Sequence, residues 1–265
     1  MADALFRPDR DRFVPHELAR GPWSPNALHG GPVSALLART AERVETPVPM
    51  HPARLTIELM RPVPLSPLSA TARVMRPGRK VQWIQASLVA DGTEVARATL
   101  LRIRGQEIPW PTDAVAGGDV TLPVRGPGTL ESVRPSWATG ELPAYHNTAT
   151  EHRMARGAWA QLGPVSDWVR LCHPIVPDEE PSPLQRVAAV ADFGNGISSA
   201  LPFARYRFIN PDLTITLHRL PAGEWVCLDA ATFPEPHGVG VAESVLYDER
   251  GRIGHAAQTL LLETW

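Results

Sequence analysis

Cysteine is almost missing from the 265 residues: Cys172 and Cys227 stand far apart, with no C-x-x-C spacing. Neither a disulfide framework nor a zinc site has anything to build on, and buried free thiols are the expected state. Charge is sparse as well. Charged side chains make up 20% of the chain, the formal net charge is -2, and Lys80 is the only lysine beside the arginines. That balance excludes a generic electrostatic binder of nucleic acid. No apolar run approaches the ~18 residues of a membrane helix, and residues 1–10 lack the apolar stretch of a secretory signal, so no membrane span and a cytoplasmic location are expected. Three catalytic fingerprints are absent too: G-x-S-x-G, the phosphate loop, and G-x-G-x-x-G after a strand. The nine histidines are scattered. Neither a metal nor a cofactor is expected.

What is present is a core-forming hydrophobic content of 43% and an excess of proline, 28 residues, which points to many short elements. The chain also repeats itself. Leu55–Arg61 (LTIELMR) is echoed by Leu213–Arg219 (LTITLHR), an offset of 213 − 55 = 158. Ala96–Leu101 then finds Ala256–Leu261 in the same order. Upstream, Ala19-Arg20-Gly21-Pro22-Trp23 matches Ala155-Arg156-Gly157-Ala158-Trp159 at 155 − 19 = 136. The change of offset, from 136 to 158, implies an inserted segment in the second copy, after its tryptophan. A period this long means two similar domains rather than a solenoid.

Each copy offers a helix and then strands. The first helix is expected over 29–43, with Pro32 in its first turn and Val33, Leu36, Leu37 and Ala41 on one face. The second opens at Ser182-Pro183 and is expected to stop at Gly194-Asn195-Gly196. Strands are predicted over Arg54–Met60, Ala70–Met75, Val81–Ala90 and Glu94–Ile103, and again over Thr214–His218, Trp225–Thr232, Val241–Tyr247 and Gly254–Leu262. The class is α+β: two tandem halves, each a long helix on an antiparallel sheet. The boundaries read 1–105, a Pro/Gly-rich surface linker over 106–143 with an alternative strand at Val120–Val124, and 144–265.

Several local stretches recur in one order: His29-Gly30-Gly31, Leu59-Met60-Arg61-Pro62, Ala191-Asp192-Phe193, His218-Arg219 with Glu224-Trp225, and Gly251-Arg252-Ile253 running to Gln258. Together they resemble the double hotdog fold, and within it the acyl-CoA thioesterase II-like branch of the thioesterase-like superfamily. The resemblance implies hydrolysis of a medium- or long-chain fatty acyl-CoA without a covalent nucleophile. In that family an aspartate ending the second helix, a hydroxyl on the following strand and a glutamine on the last strand hold the water. The aspartate falls on Asp192 and the glutamine on Gln258. The hydroxyl position falls on Asn210, a departure that leaves Thr214 or Thr216 to supply a hydroxyl nearby.

The chemistry suits these groups. A carboxylate can take the water's proton, worth ~10²–10⁴-fold, and an amide such as Gln258 can orient the water without titrating. Backbone N–H groups at a helix N-terminus would meet the oxyanion, and His29, Gly30 and Gly31 would let substrate approach that backbone. Arg76, Arg79 and Lys80 are expected to hold the phosphates of CoA. Each assignment has a plainer reading: Asp192 as a helix-end contact, Gln258 facing solvent, His29 as a cap, Asn210-Pro211-Asp212 as a turn, the Arg76–Lys80 cluster as a solvated turn. Two rival functions compete. A non-catalytic acyl or lipid binder would explain Asn210. An enoyl-CoA hydratase would need an Asp/His pair, for which His218 is the candidate partner of Asp192. One site per chain is expected, since the first helix has no acid aligned with Asp192. A monomer is feasible, and homo-oligomer formation is compatible with the resemblance.

Overall fold

The computed structural model describes residues 3–115, 125–134, 142–159 and 161–265. Its strands are β1 (Phe6–Asp9), β2 (Arg12–Pro15), β3 (Met50–Glu58), β4 (Leu68–Arg76), β5 (Val81–Ala90), β6 (Thr93–Arg104), β7 (Thr150–Arg156), β8 (Val165–Leu171), β9 (Tyr206–Ile209), β10 (Asp212–Leu217), β11 (Val226–Pro234), β12 (Val239–Asp248) and β13 (Gly251–Thr264). They form one sheet in the order β1-β2-β4-β5-β6-β3-β10-β13-β12-β11-β8-β7, with β9 also paired to β13. Every pairing is antiparallel. Walked inward from either end, the two halves have the same order. The starts of β4 and β11, of β5 and β12, and of β6 and β13 all keep the offset of 158 (226 − 68, 239 − 81, 251 − 93). The halves join at β3–β10, where Thr56 lies opposite Thr214. Because these two threonines share that offset, a local two-fold axis passes through the pair.

Alternation along the strands separates two faces. Leu55, Ile57, Leu213 and Ile215 are buried toward the helices, while Thr56 and Thr214 take the other face. α1 (Gly30–Glu42) packs on β4–β6, and α2 (Pro183–Ala191) packs on β8, β10 and β11. His29 occupies the N-cap position of α1, and Ser182 caps α2 by accepting the Gln185 amide at 3.1 Å, with Pro183 in the first turn. Val33, Leu36 and Leu37 are fully buried under α1, as are Leu184 and Val187 under α2, each stabilising the fold by about 1.5–3 kcal/mol. The helices lie side by side and antiparallel. Ser182 Oγ donates to Glu42 at 2.7 Å, so the start of α2 meets the end of α1.

The Asp91-Gly92 turn between β5 and β6 has φ of 47° and 77°, the left-handed pair that favours such a dipeptide in a hairpin. Other expectations need correcting. Ala19–Trp23 lies between β2 and α1, whereas Ala155–Trp159 closes β7 ahead of β8, so the two A-R-G-x-W stretches are not equivalent. The equivalent caps are His29 and Ser182, at an offset of 182 − 29 = 153. The offset is therefore nearly constant, and the expected insertion after the second tryptophan does not exist. Nor do the glycines stop the second helix: Asp192 and Phe193 keep helical backbone, and Gly194–Ile197 forms a further short helix, α3. The hairpin β1–β2 and strands β7, β8 and β9 were not anticipated. Within the expected linker, residues 125–134 dock on the second half: Val133 bridges to His152, and Trp168 Nε1 donates to the Arg125 carbonyl at 2.9 Å. The alternative strand at Val120–Val124 lies outside the described residues. Among the described residues no helix is long and apolar enough to cross a membrane.

Candidate active site

Asp192 follows α2 directly and is 7% exposed. Its Oδ1 accepts from Asn210 Nδ2 at 2.8 Å and from Gln258 Nε2 at 3.2 Å, and its Oδ2 lies 2.9 Å from His29 Nδ1. His29 Nδ1 is also 3.0 Å from the Gly31 amide. One nitrogen cannot both donate to the carboxylate and accept that N–H. An unprotonated Nδ1 would set its lone pair against the carboxylate oxygens, so the proton sits on Nδ1 and is donated to Asp192. The Gly31 N–H is then left to the same carboxylate. Burial works to raise the Asp192 pKa, but the hydrogen bond from His29, then those from Asn210 and the Gly31 amide, outweigh it, and the net shift is below the ordinary 3.8. The positive end of the α1 dipole acts in the same direction.

Close backbone approach makes this contact possible. A Cβ on Gly30 would stand 2.5 Å from Asp192 Oδ2, and one on Gly194 would stand 2.7 Å from Ser244 Oγ. Gln258 belongs to the buried face of β13, where it straps the turn after α2: Oε1 accepts the Asn195 amide at 3.0 Å, and Nε2 also donates to the Asp192 carbonyl at 3.2 Å. The cluster forms the foot of a pocket of about 530 Å³, with His29, Gly30, Val33, Phe193 and Asn195 around it. Trp23, Met60, Phe203 and Ile209 supply an apolar wall, and Arg61 and Arg207 are the cations that line it.

The structure thus brings together Asp192, Asn210, Gln258, His29, Gly30 and Gly31, and leaves out the rest. Thr214 and Thr216 point from the opposite face of the sheet to Leu213 and Ile215, so neither can supply a hydroxyl here. Arg76, Arg79 and Lys80 form the β4–β5 turn. The Lys80 carbonyl accepts the Arg104 amide, and Arg104 pairs with Met50 at the start of β3, whereas Leu59 and Met60 in the pocket wall follow its end at Glu58. At ~3.3 Å per residue the cluster is roughly 25 Å from the site. His218 follows the far end of β10, exposed; the histidine that meets Asp192 is His29, from the other half. Sequence reasoning missed Asn195, Arg61 and Arg207. Arg61 stands within the Leu59–Pro62 stretch, but the other two carry no local signal.

A second buried pair lies behind Phe193. His152 Nδ1 is 2.7 Å from Asp167 Oδ2 and its Nε2 is 3.0 Å from Thr150 Oγ1. The order imitates a hydroxyl-His-Asp nucleophile, but His152 and Asp167 are wholly buried and Thr150 donates to the Tyr145 carbonyl at 3.0 Å. The two-fold mate of the Asp192 site is also shut. Arg39 stands where Asp192 would be and forms a forked ion pair with Glu179, at 2.7 Å for both bonds; Leu100 replaces Gln258; Pro183 and Leu184 replace the two glycines.

The model of the acyl-CoA thioesterase N-terminal domain matches residues 19–103, and that of the acyl-CoA thioesterase C-terminal domain matches residues 122–262. The chain belongs to the acyl-CoA thioesterase family. As a member of it, the protein is a thioester hydrolase. Solved structures agree with the fold. A protein of Novosphingobium aromaticivorans assigned as a thioesterase is 23% identical, with a TM-score of 0.71, 99% of this chain and 100% of that chain covered. A hot dog protein of Alicyclobacillus acidocaldarius gives 17%, 0.69, 97% and 95%. An acyl-CoA thioesterase II of Mycobacterium marinum gives 13%, 0.64, 100% and 95%. No curated protein matches the sequence. The thioesterase is a double hotdog, with α1 and α2 on one face of a continuous sheet.

Proposed function

We propose that this thioesterase hydrolyses a fatty acyl-CoA by direct attack of water in the pocket beside Asp192, with no acyl-enzyme. The observation that carries the reading is Asp192 itself: a buried carboxylate, held ionised by His29, Asn210 and Gln258, at the foot of an apolar pocket. Among the described residues, Ser24 is the one hydroxyl side chain lining that pocket; it accepts the Asn26 amide at 3.2 Å, and no imidazole is bonded to it. The Gly30 N–H opens α1, lines the pocket and has no acceptor among the described residues, which suits a developing oxyanion. The apolar wall takes the medium- or long-chain acyl group. Arg61 and Arg207 replace the Arg76–Lys80 cluster as partners for the phosphates of CoA. A CoA thioester is an intracellular substrate, so we place the enzyme in the cytoplasm. We keep the division at 1–105, 106–143 and 144–265 as part of this proposal.

The test is release of thiol from a panel running from acetyl-CoA to palmitoyl-CoA, followed with a thiol reagent. Turnover with a chain-length preference, lost in Asp192→Asn, is expected. No release from any member, with tight acyl-CoA binding retained, would replace the enzyme with a binder. The His29–Asp192 contact favours one other reading, a hydratase acting on enoyl-CoA, because such chemistry uses an Asp/His pair. Loss of enoyl absorbance without thiol release would select it.

A further inference from the structure

We propose that His29, through Nε2, takes the proton from the attacking water, and that Asp192 acts by orienting His29 and balancing its charge. The proposal rests on thioester hydrolysis at this pocket. An ionised carboxylate offers about four acceptor positions. Those of Asp192 are occupied, Oδ1 by Asn210 and Gln258 and the rest by His29 and the Gly31 amide. A water reaching Asp192 would have to displace one of these donors, and the same donors weaken the carboxylate as a base.

His29 is placed differently. Its Nδ1 proton goes to Asp192, which fixes the tautomer and leaves the Nε2 lone pair available. Nε2 has no hydrogen-bond partner among the described residues, and His29 lines the pocket. The ring is wedged between Tyr145 and Phe193, at 5.0 and 4.8 Å between centroids, and its main chain is pinned to the Ala19 carbonyl. Asn195 lines the same pocket, with its Oδ1 buried and unpartnered among the described residues.

The step balances without a further reactant. The water O–H bond breaks toward Nε2 while its oxygen bonds to the thioester carbon, and the carbonyl π pair moves onto the oxyanion beside the Gly30 N–H. Collapse of the adduct re-forms the carbonyl and breaks C–S, and the departing sulfur recovers the proton from Nε2. The products are a carboxylic acid and the CoA thiol, and His29 returns to its starting tautomer.

His29→Asn is the informative variant. Asparagine caps a helix well, and its amide N–H can stand in for Nδ1–H toward Asp192, but it has no basic nitrogen. kcat for acyl-CoA is expected to fall by about 10²–10⁴-fold with KM nearly unchanged. His29→Ala opens space at the pocket, and added imidazole is expected to restore its turnover in a saturable way. His29→Asn turnover within about tenfold of wild type, well short of the usual effect of losing a general base, would overturn the proposal. So would a His29→Ala enzyme that binds a non-hydrolysable acyl-CoA thioether normally yet gains nothing from imidazole. Wild-type protein that releases no thiol would instead defeat the thioesterase reading, before any variant is made.

Discussion

Burial alone drives a carboxyl such as Asp192 toward its neutral form, and the donors around it reverse that direction. The linkage follows from the sign. A folded pKa below the ordinary 3.8 means that Asp192 contributes stability at pH values above 3.8, and that the contribution disappears as pH falls through the lower, folded value. Urea midpoints measured across that acid range should show this loss in wild type and not in Asp192→Asn. Gly30→Ala tests the same contact from the backbone side. Alanine would favour the helix, but its Cβ has no room beside Oδ2, so kcat/KM should drop on the order of 10²-fold, the usual effect of a displacement near 1 Å, in a protein that still folds. Asp192 and Gln258 were legible because each lies in a recurring local stretch. Thr214 was misjudged although its neighbours held the answer: Leu213, Ile215 and Leu217 claim the buried face, and the threonines must take the other. The pairing of His29 with Asp192 had no such signal, because a contact between opposite halves of the chain exists only once the helices are laid antiparallel.

At the scale of the helices, each end-to-end meeting has a different occupant. The closed one holds Arg39 on Glu179, and Glu179 lies below the ordinary glutamate value of 4.5 chiefly because of that hydrogen bond. Arg39→Met should therefore lower stability by roughly 1 kcal/mol at neutral pH, a modest figure because Glu179 is 37% exposed in its side chain. The effect should shrink as pH falls below 4.5, and thiol release should be unchanged; urea melts and the thiol assay check both. The helices themselves were readable from Pro32 and from Ser182-Pro183. Their glycines were misread because Gly194 is small for packing, under Ser244 and Gln258, rather than for a turn. β7 escaped notice since its sequence, TEHRMAR, is charged, and only the structure shows His152 and Thr150 turned inward.

The halves are joined by the β3–β10 ladder, the α1–α2 contact and the backbone bonds from Leu5 and Phe6 to Pro174 and Ile175, all of which cross between them. Neither half can open without exposing the other's core. Unfolding should accordingly be a single transition, with far-ultraviolet circular dichroism and tryptophan fluorescence coinciding; two separated transitions would show halves that fold alone. The repeat was visible where strands face each other at a fixed offset, and illusory in the A-R-G-x-W stretch, where a short match arose without shared geometry. The axis through Thr56 and Thr214 has a consequence for inheritance. When identical subunits pair, one change in the gene alters both sites at once, so a substitution that ruins catalysis ruins it everywhere. Fusion removes that tie. Under the proposed chemistry, Arg39 and Leu100 are residues a symmetric pair could not carry as an enzyme, and here they sit opposite Asp192 and Gln258.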